Sequence, residues 1–219
     1  MDYKLLKIDK LTVGLHSRLK LEVDSCFYLM EYCSGENFSF SKDNDYILNF
    51  KKSMAKWDLP EFPWKYWAVR EIAKFFKPHF TPAVLKRWTL VPIPPSKSRS
   101  HDLYDDRMTR LLQIICQGVE SDFREIIYMQ NDMESSHETN CRPSVEQIYQ
   151  NLRIDENFKN PAPSRIILFD DVLTAGTHFK ACKRILQETY PNVEEIRGVF
   201  VARRIFPPPE VNQNEDEYW

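Results

Sequence analysis

Two adjacent acids followed by a short loop of small residues form the segment of this 219-residue sequence most able to do chemistry. Asp170 and Asp171 come directly after the apolar run Ile166–Phe169, and the loop Thr174–Thr177 follows them. Ligands of open α/β sheets bind beyond the carboxyl ends of strands, and small residues let a phosphate approach the backbone closely. A helix that follows such a loop directs free N–H groups at the phosphate. Two adjacent acids above such a loop are unfavourable unless hydroxyls or a cation stabilise their charges, and a ribose diol beside Mg²⁺ supplies both.

The whole segment from Ile166 to Thr177 resembles the motif with which type I phosphoribosyltransferases bind 5-phosphoribosyl 1-diphosphate (PRPP). It has four apolar residues, two acids, Val-x-Thr, and small residues that end in Thr. The alternative is an ordinary strand that ends in acids, with Thr177 as a helix N-cap. The resemblance implies that Asp170 and Asp171 hold the ribose hydroxyls and contribute to binding Mg²⁺, which PRPP itself mainly coordinates. It also implies that the 5′-phosphate binds to Thr174, Ala175, Gly176 and Thr177.

A second segment, Thr89–Pro94 and the basic loop after it, is similar to the Val-Pro-x-Pro stretch of the ComF-like branch of that family. In type I enzymes the loop after this strand binds the pyrophosphate. The resemblance therefore implies contacts from Ser96 and Ser98, with Lys97 and Arg99 neutralising the charge of the leaving group. An ordinary basic surface loop is the alternative.

Further candidates lie outside these two motifs. Residues 105–107 (Asp-Asp-Arg) are candidates to lie near the same site, although they are at the start of a predicted helix, where the helix dipole also favours acids. The polar interval Met129–Pro143 contains His137 and Arg142 and corresponds to a mobile lid in many type I enzymes, although a plain connector is the alternative. A late strand that ends in Ala-Arg, as in the ComF pattern, makes Arg203 a candidate contact to the base.

Strands and helices alternate after residue 60, and these elements must position the candidate residues. Strands are predicted at Trp88–Ile93, Glu125–Met129, Arg165–Phe169 and Ile196–Ala202, and helices from Pro63, from Pro82, from about Tyr104 and after Thr177. The strand Arg165–Phe169 is apolar without alternation, as expected when both faces of a sheet are covered. This order favours an α/β fold with a type I phosphoribosyltransferase-like parallel sheet flanked by helices.

Residues 1–60 follow a different pattern. Apolar residues alternate with polar ones between positions 11 and 23, which predicts a hairpin around His16–Arg18. A short aromatic strand near Phe27–Tyr32 and a loop over Gly35–Asp45 come next. We therefore expect a strand-rich N-terminal hood over residues 1–60, a core over residues 61–206, and a flexible acidic tail over residues 207–219.

The predicted hood marks a departure from the ComF-like branch. Proteins of that branch usually begin with a zinc-binding cysteine cluster, and this chain has the strand-rich segment instead. Since the hood normally recognises the base, the resemblance does not identify the acceptor. Contact with a second copy or a protein partner through the hood or the tail is also left open.

The composition indicates which kinds of partner and which cellular compartment to expect. The chain has 30 Lys and Arg against 32 Asp and Glu, so it has no broad basic field for direct nucleic-acid binding. Its five cysteines form no Cys-x-x-Cys pair, which favours free thiols in a reducing compartment. The sequence shows no apolar signal core and no run of about eighteen apolar residues. We therefore expect a cytoplasmic protein that does not bind membranes.

The resemblance implies an enzyme that uses Mg²⁺ and transfers the 5-phosphoribosyl group of PRPP to a nitrogen of a small-molecule acceptor, releasing pyrophosphate. We find no Ser/His/Asp or Cys/His arrangement, as expected if catalysis is mainly electrostatic and positional. Two alternatives stay open, because one fold serves several functions. One is a regulator that senses PRPP or a nucleotide without turnover. The other is an effector of a defence or toxin system that attacks a nucleotide pool.

Overall fold

A six-stranded sheet forms the centre of the computed structural model, which describes residues 3–133 and 143–207. In sheet order the strands are β1 (Leu6–Lys7), β2 (Ser25–Cys33), β8 (Glu195–Ile205), β7 (Arg165–Leu173), β3 (Thr89–Pro92) and β4 (Asp122–Phe123). All neighbouring strands are parallel except β1 and β2. A separate two-stranded antiparallel sheet pairs β5 (Ile127–Met129) with β6 (Leu152–Ile154).

Helices cover both faces of the main sheet. One face packs against α1 (Lys42–Phe50), α2 (Pro63–Phe76) and α4 (Arg107–Cys116). The other face packs against α5 (Val145–Asn151) and α6 (Thr177–Thr189). The short helix α3 (Pro82–Leu85) precedes β3. Short 3₁₀ turns lie at Val13–Leu15, Met54–Lys56, Lys77–His79 and Glu156–Phe158. In β7, Ile166 and Leu168 pack toward α6, whereas Ile167 and Phe169 pack toward α2 and α4. The strand is therefore apolar on both sides, and the predicted α/β class with a mostly parallel sheet is confirmed.

The order of the strands creates a crevice between β3 and β7. The chain leaves β3 through α4 toward β4 on one side, and it leaves β7 through α6 toward β8 on the other side. Connections that run in opposite directions from two adjacent parallel strands open a crevice beyond their carboxyl ends, where α/β proteins bind ligands. The loops that follow β3 and β7 both begin at this edge.

The predicted hairpin over residues 11–23 is wrong. This stretch contains the turn at Val13–Leu15 and further turns, and its Leu11 and Val23 side chains are 93% and 60% exposed. The alternating pattern misled because these apolar residues do not line one buried face. His16 and Leu19 are buried instead, and the segment packs on the loop after β7.

Two further predictions need correction. The predicted loop Gly35–Asp45 ends early, because Ser41 accepts a hydrogen bond from the Asn44 amide (3.0 Å) and caps α1 from Lys42 onward. The predicted strand at Glu125–Met129 exists as β5, but it pairs antiparallel with β6, and β4 is the parallel neighbour of β3.

The N-terminal segment is joined to the main sheet. Its strand β2 lies parallel to β8, with Tyr28 opposite Phe200 and Glu31 opposite Arg203. Among the described residues up to position 60, only β1 and β2 are strands, so this segment is less rich in strand than predicted. Its role as a hood for the acceptor stays a prediction, and the tail from residue 208 onward lies outside the described residues.

The cysteines and the lengths of the helices relate to two expectations from the composition. The four cysteines within the described residues, Cys26, Cys33, Cys116 and Cys182, are free thiols. No helix in the described part of the chain is both long and apolar enough to cross a membrane.

Candidate functional site

Asp170 and Asp171 lie at the carboxyl end of β7 but have different surroundings. Asp171 accepts a hydrogen bond from the guanidinium of Arg107, the first residue of α4, and its Oδ2 lies 3.8 Å from the Nζ of Lys51. Its side chain is 13% exposed. Asp170 accepts a hydrogen bond from the Asp171 amide (2.8 Å), and no described cation forms an ion pair with it. The pair thus combines Asp171, which forms ion pairs with two cations, and Asp170, which the charges of Arg107 and Lys51 reach without an ion pair.

These surroundings drive the pKa values of the two acids apart. Burial and then the charge of Asp171 raise the pKa of Asp170 to about 8. Burial also opposes ionisation of Asp171, but Lys51 and Arg107 outweigh it and lower the pKa of that carboxyl. Asp170 therefore holds a proton more strongly than Asp171 does. Adjacent acids with opposed pKa values are typical of functional sites.

A buried network of charges supports Asp171 from the side of α1, α2 and α4. Arg107 bridges Asp171 and Asp105, and Asp105 accepts a hydrogen bond from the Lys65 Nζ at 2.7 Å. The Lys65 side chain is 1% exposed, and its Nζ also donates to the carbonyl oxygens of Phe50 (3.1 Å) and Lys52 (2.8 Å). Burial lowers the pKa of Lys65 to about 8. The network therefore positions the end of α1 next to the acid pair.

Sequence reasoning proposed Asp105 and Arg107 as candidates but missed Lys65 and Lys51. A signal for Lys65 was present: it falls on the same face of α2 as Ala68, Ile72 and Phe76, which are buried. A lysine on the apolar face of a helix requires a buried acceptor, and Asp105 provides one. No comparable signal marks Lys51, which follows the end of α1.

The loop after β7 ends in a glycine with a special conformation. Gly176 has φ 88° and ψ 15°, and it caps α6 without a side-chain hydrogen bond. The left-handed conformation favours glycine, and a Cβ atom at this position would also crowd the Leu19 side chain at 3.0 Å. The first N–H groups of α6 therefore have no side-chain cap, as an anion site at a helix N-terminus needs.

The N-terminal segment holds this loop in place. The Nδ1 of His16 donates to the carbonyl oxygen of Thr174 (2.5 Å), and the amide of Arg18 donates to that of Ala175 (2.9 Å). His16 is fully buried, and burial lowers its pKa. Sequence reasoning placed His16 in a hairpin turn and missed this contact, which joins residues 158 positions apart.

The basic loop after β3 begins beside β7 but directs one of its cations elsewhere. The amide of Ile93 donates to the carbonyl oxygen of Phe169 (2.7 Å), so the loop starts next to the acid pair. Arg99, however, donates to Asp155 (2.6 Å) and to the carbonyl oxygen of Glu125 (2.8 Å), at the two-stranded sheet. The guanidinium of Arg99 is thus paired away from Asp170 and Asp171.

The other residues of the basic loop are tied to the segment at 132–133. The Ser98 amide donates to Asp132 Oδ1 (2.7 Å), and the Ser96 carbonyl accepts from the Met133 amide (2.8 Å). Hydrogen bonds from Ser98, then the charges of His101 and Lys97, lower the pKa of Asp132. Lys97 therefore lies close enough to Asp132 to act on it, without the direct contact that Arg99 makes with Asp155.

Of the remaining predicted residues, one lies in the described part of the chain and two lie outside it. Arg203 lies at the carboxyl end of β8 opposite Leu173, where its Nε donates to Glu31 (2.9 Å). His137 and Arg142 lie outside the described residues. Within the described ranges, no group of three or more His, Cys, Asp or Glu side chains is arranged to hold a metal ion.

No protein-family model matches this sequence, and no curated protein is significantly similar to it.

Proposed function

We propose that this protein binds PRPP at the carboxyl ends of β3 and β7 and transfers the 5-phosphoribosyl group to a nitrogen acceptor. One observation carries the proposal: an acid pair with opposed pKa values directly precedes a loop that ends in a left-handed glycine and opens a helix. The pair and the loop lie in the crevice between β3 and β7. A ligand that carries a sugar diol and a phosphate at a fixed separation would place the diol at the acid pair and the phosphate at the loop.

Each half has a defined role in this proposal. The 5′-phosphate accepts hydrogen bonds from the loop Thr174–Thr177 at the uncapped start of α6. The ribose hydroxyls donate to the ionised Asp171, and the protonated Asp170 both donates and accepts. Lys51 and Arg107 keep Asp171 ionised, so the diol meets one negative charge rather than two in contact.

The two carboxylates are too few to form a metal site by themselves, and Mg²⁺ is often held by one or two carboxylates together with substrate phosphates. The ionised Asp171 fits that requirement, and Asp170 would fit it on giving up its proton, so the two would hold Mg²⁺ together with PRPP oxygens. The ion would supply positive charge to the diphosphate.

Transfer needs no side-chain nucleophile. The lone pair of the acceptor nitrogen forms a bond to C1 of the ribose as the C1–O bond breaks, and the electrons of that bond leave with pyrophosphate. A proton on the nitrogen, where present, passes to solvent. Lys97 stabilises the charge that develops on the leaving group, and Arg99 does so once it leaves Asp155.

A second candidate function is PRPP sensing without turnover. The pairing of Arg99 with Asp155 favours it, because one of the two cations predicted on the pyrophosphate already has a partner. A sensor needs the acid pair and the phosphate loop but no stabilisation of a leaving group. The two functions differ in whether pyrophosphate is released.

Calorimetric titration of the protein with PRPP, with and without Mg²⁺, tests the proposal. We expect tighter binding with Mg²⁺, and loss of binding in the double variant Asp170→Asn, Asp171→Asn. Asp58→Asn, at an exposed acid outside the site, is the matched control. Absence of heat under both conditions, or equal affinity in the double variant and the control, would contradict the proposal. Pyrophosphate release with a panel of acceptors separates the enzyme from the sensor.

A further inference from the structure

A cavity of about 620 Å³ lies between the end of α1, the turn after it and the start of α2. Its lining includes three lysines and three aromatic residues: Lys51, Lys52, Lys56, Phe38, Trp64 and Trp67. A volume of this order suits a small molecule, since ligand pockets typically enclose about 300–1,000 Å³. The proposed PRPP site does not use these residues, apart from Lys51.

The tryptophans form a rigid apolar corner. Their rings lie 5.6 Å apart at 82°, and Trp67 is stacked on Tyr46 at 5.2 Å and 13°. The stacking holds the Trp67 ring in place, while Trp64 is 53% exposed and presents its surface to an incoming molecule. Two aromatic rings at this angle favour a planar aromatic ligand, which stacks on one ring and meets the other edge to face.

The charges around this corner favour an anion. The lining contains three lysines against two acids, Asp45 and Glu61. Since Lys51 also faces Asp171, Lys52 and Lys56 are the lysines left for a ligand. The Asp45 carboxylate already accepts a hydrogen bond from the Asn49 side chain (2.9 Å), and Lys52 lies 5.4 Å from the centre of the Phe38 ring. A ligand with an acidic group can thus place its ring on the tryptophans and its charge among the lysines.

Lys51 connects this cavity to the acid pair. Its side chain lines the cavity, and its Nζ lies 3.8 Å from Asp171 Oδ2. Lys65 secures the backbone on both sides of Lys51 through hydrogen bonds to the carbonyl oxygens of Phe50 and Lys52. A molecule in the cavity is therefore adjacent to the place where the ribose would bind.

We propose that this cavity binds the acceptor, and that the acceptor is a planar aromatic nitrogen compound that carries an acidic group. Its role as an acceptor site rests on the proposed function, whereas the ligand class follows from the lining of the cavity. Lys51 then interacts with both substrates, which couples their binding.

Calorimetric titration with three probes tests the ligand class. Quinoline-2-carboxylate is a planar aromatic anion, quinoline-2-carboxamide is its neutral counterpart, and cyclohexanecarboxylate is an anion without an aromatic ring. We expect the first to bind at least about tenfold more tightly than either of the others, because only it satisfies both the tryptophans and the lysines. Equal affinities, or no binding of the first probe, would overturn the proposal.

Matched variants locate the bound probe. Trp64→Ala and Lys52→Gln should each weaken binding of quinoline-2-carboxylate by about tenfold, a typical loss for a central aromatic or charged contact. Trp57→Ala and Lys74→Gln are the controls, since Trp57 is 71% exposed, Lys74 is paired with Glu71, and neither lines the cavity. Equal losses in variants and controls would place the probe elsewhere and overturn the assignment.

Titrations with PRPP distinguish failure of this inference from failure of the proposed function. Trp64→Ala should bind PRPP as the parent does, because it removes no group near the acid pair. If PRPP binds and the aromatic anion does not, the inference is wrong and the proposed function stands. If the aromatic anion binds and PRPP does not, the proposed function and the acceptor role both fail.

Discussion

The loops after β7 and after β3 are both predicted to bind parts of PRPP, but their surroundings in the fold differ. After β7, His16 and Arg18 hold the carbonyl oxygens of Thr174 and Ala175, and Gly176 turns the chain into α6. After β3, the loop begins beside β7, but the guanidinium of Arg99 is paired with Asp155 of the β5–β6 region.

The two loops would bind PRPP with different groups, one with backbone N–H groups and the other with cationic side chains. A phosphate loop acts through backbone N–H groups, so a local conformation held by a few hydrogen bonds is sufficient to build it. Neutralising a leaving group depends on long cationic side chains, whose direction is set by whichever acids the fold brings near. In the proposed site, the loop after β7 is therefore the prepared half, with its conformation fixed before PRPP binds. The loop after β3 is the unprepared half, because Arg99 would first have to leave Asp155.

The largest expected effect concerns the network that supports the prepared half of the site. Arg107→Met leaves Asp105 and Asp171 without their shared partner, and removing one member of a buried ion pair costs about 3–5 kcal/mol. Urea denaturation measures the change in the free energy of unfolding. Arg110→Met is the control on the same helix, since its pair with Asp106 is exposed and such pairs contribute about 0–1 kcal/mol. Similar losses in both variants would show that the network is not structural.

The backbone of the prepared loop provides the next prediction. Gly176→Ala should destabilise the fold by about 1–3 kcal/mol, because it forces a left-handed conformation and crowds Leu19, and it should also weaken PRPP binding. Gly118→Ala is the control: its φ is 79°, but a Cβ there meets nothing within 4 Å. A PRPP affinity equal to that of the control variant would mean that the loop does not bind the phosphate.

Asp170, which forms no ion pair with a described cation, should make the stability of the fold depend on pH. The pKa of Asp170 is raised from 3.8 to about 8, so between these pH values the unfolded chain has released its proton and the folded chain has not. Stability therefore falls as pH rises through this range. Asp170→Asn removes the effect, and its melting temperature at pH 8 should exceed that of the parent by at least about 2–4 °C, the shift that ~1 kcal/mol gives a domain of this size.

The gain should vanish below about pH 3, where the parent Asp170 is protonated in the unfolded chain as well. Melting curves at both pH values decide this point. A variant that is less stable than the parent at pH 8 would show that Asp170 is compensated by a partner. Asp122→Asn, at an acid paired with Arg124, is a control that should show no gain.

The smallest expected effect concerns the unprepared half. Asp155→Asn should change the free energy of unfolding by less than about 1 kcal/mol, because its pair with Arg99 is partly exposed. It should nevertheless strengthen PRPP binding by a few fold, since Arg99 no longer has to leave a partner. Glu156→Gln, at the neighbouring acid without an Arg99 contact, is the control. Unchanged PRPP affinity in Asp155→Asn would mean that Arg99 does not reach the diphosphate.

The sequence predicted the elements whose residues are contiguous and strongly patterned. The apolar strand before Asp170, the strand before the basic loop and the helix from Pro63 are where the pattern put them, because such signals arise within a few residues. The pattern failed between residues 11 and 23. That segment makes its own contacts with a loop about 160 residues away, and local periodicity contains no information about them.

The sequence alone determined that two acids stand next to a loop able to cradle a phosphate, since their types and spacing are local properties. Only the tertiary structure decided that Arg107 and Lys51 pair with Asp171 while no described cation forms an ion pair with Asp170, and that Arg99 pairs with Asp155. These partners come from helices and strands far apart in the chain. Their charges meet only when the sheet and its helices pack, so the pKa values and the direction of each cation are properties of the fold.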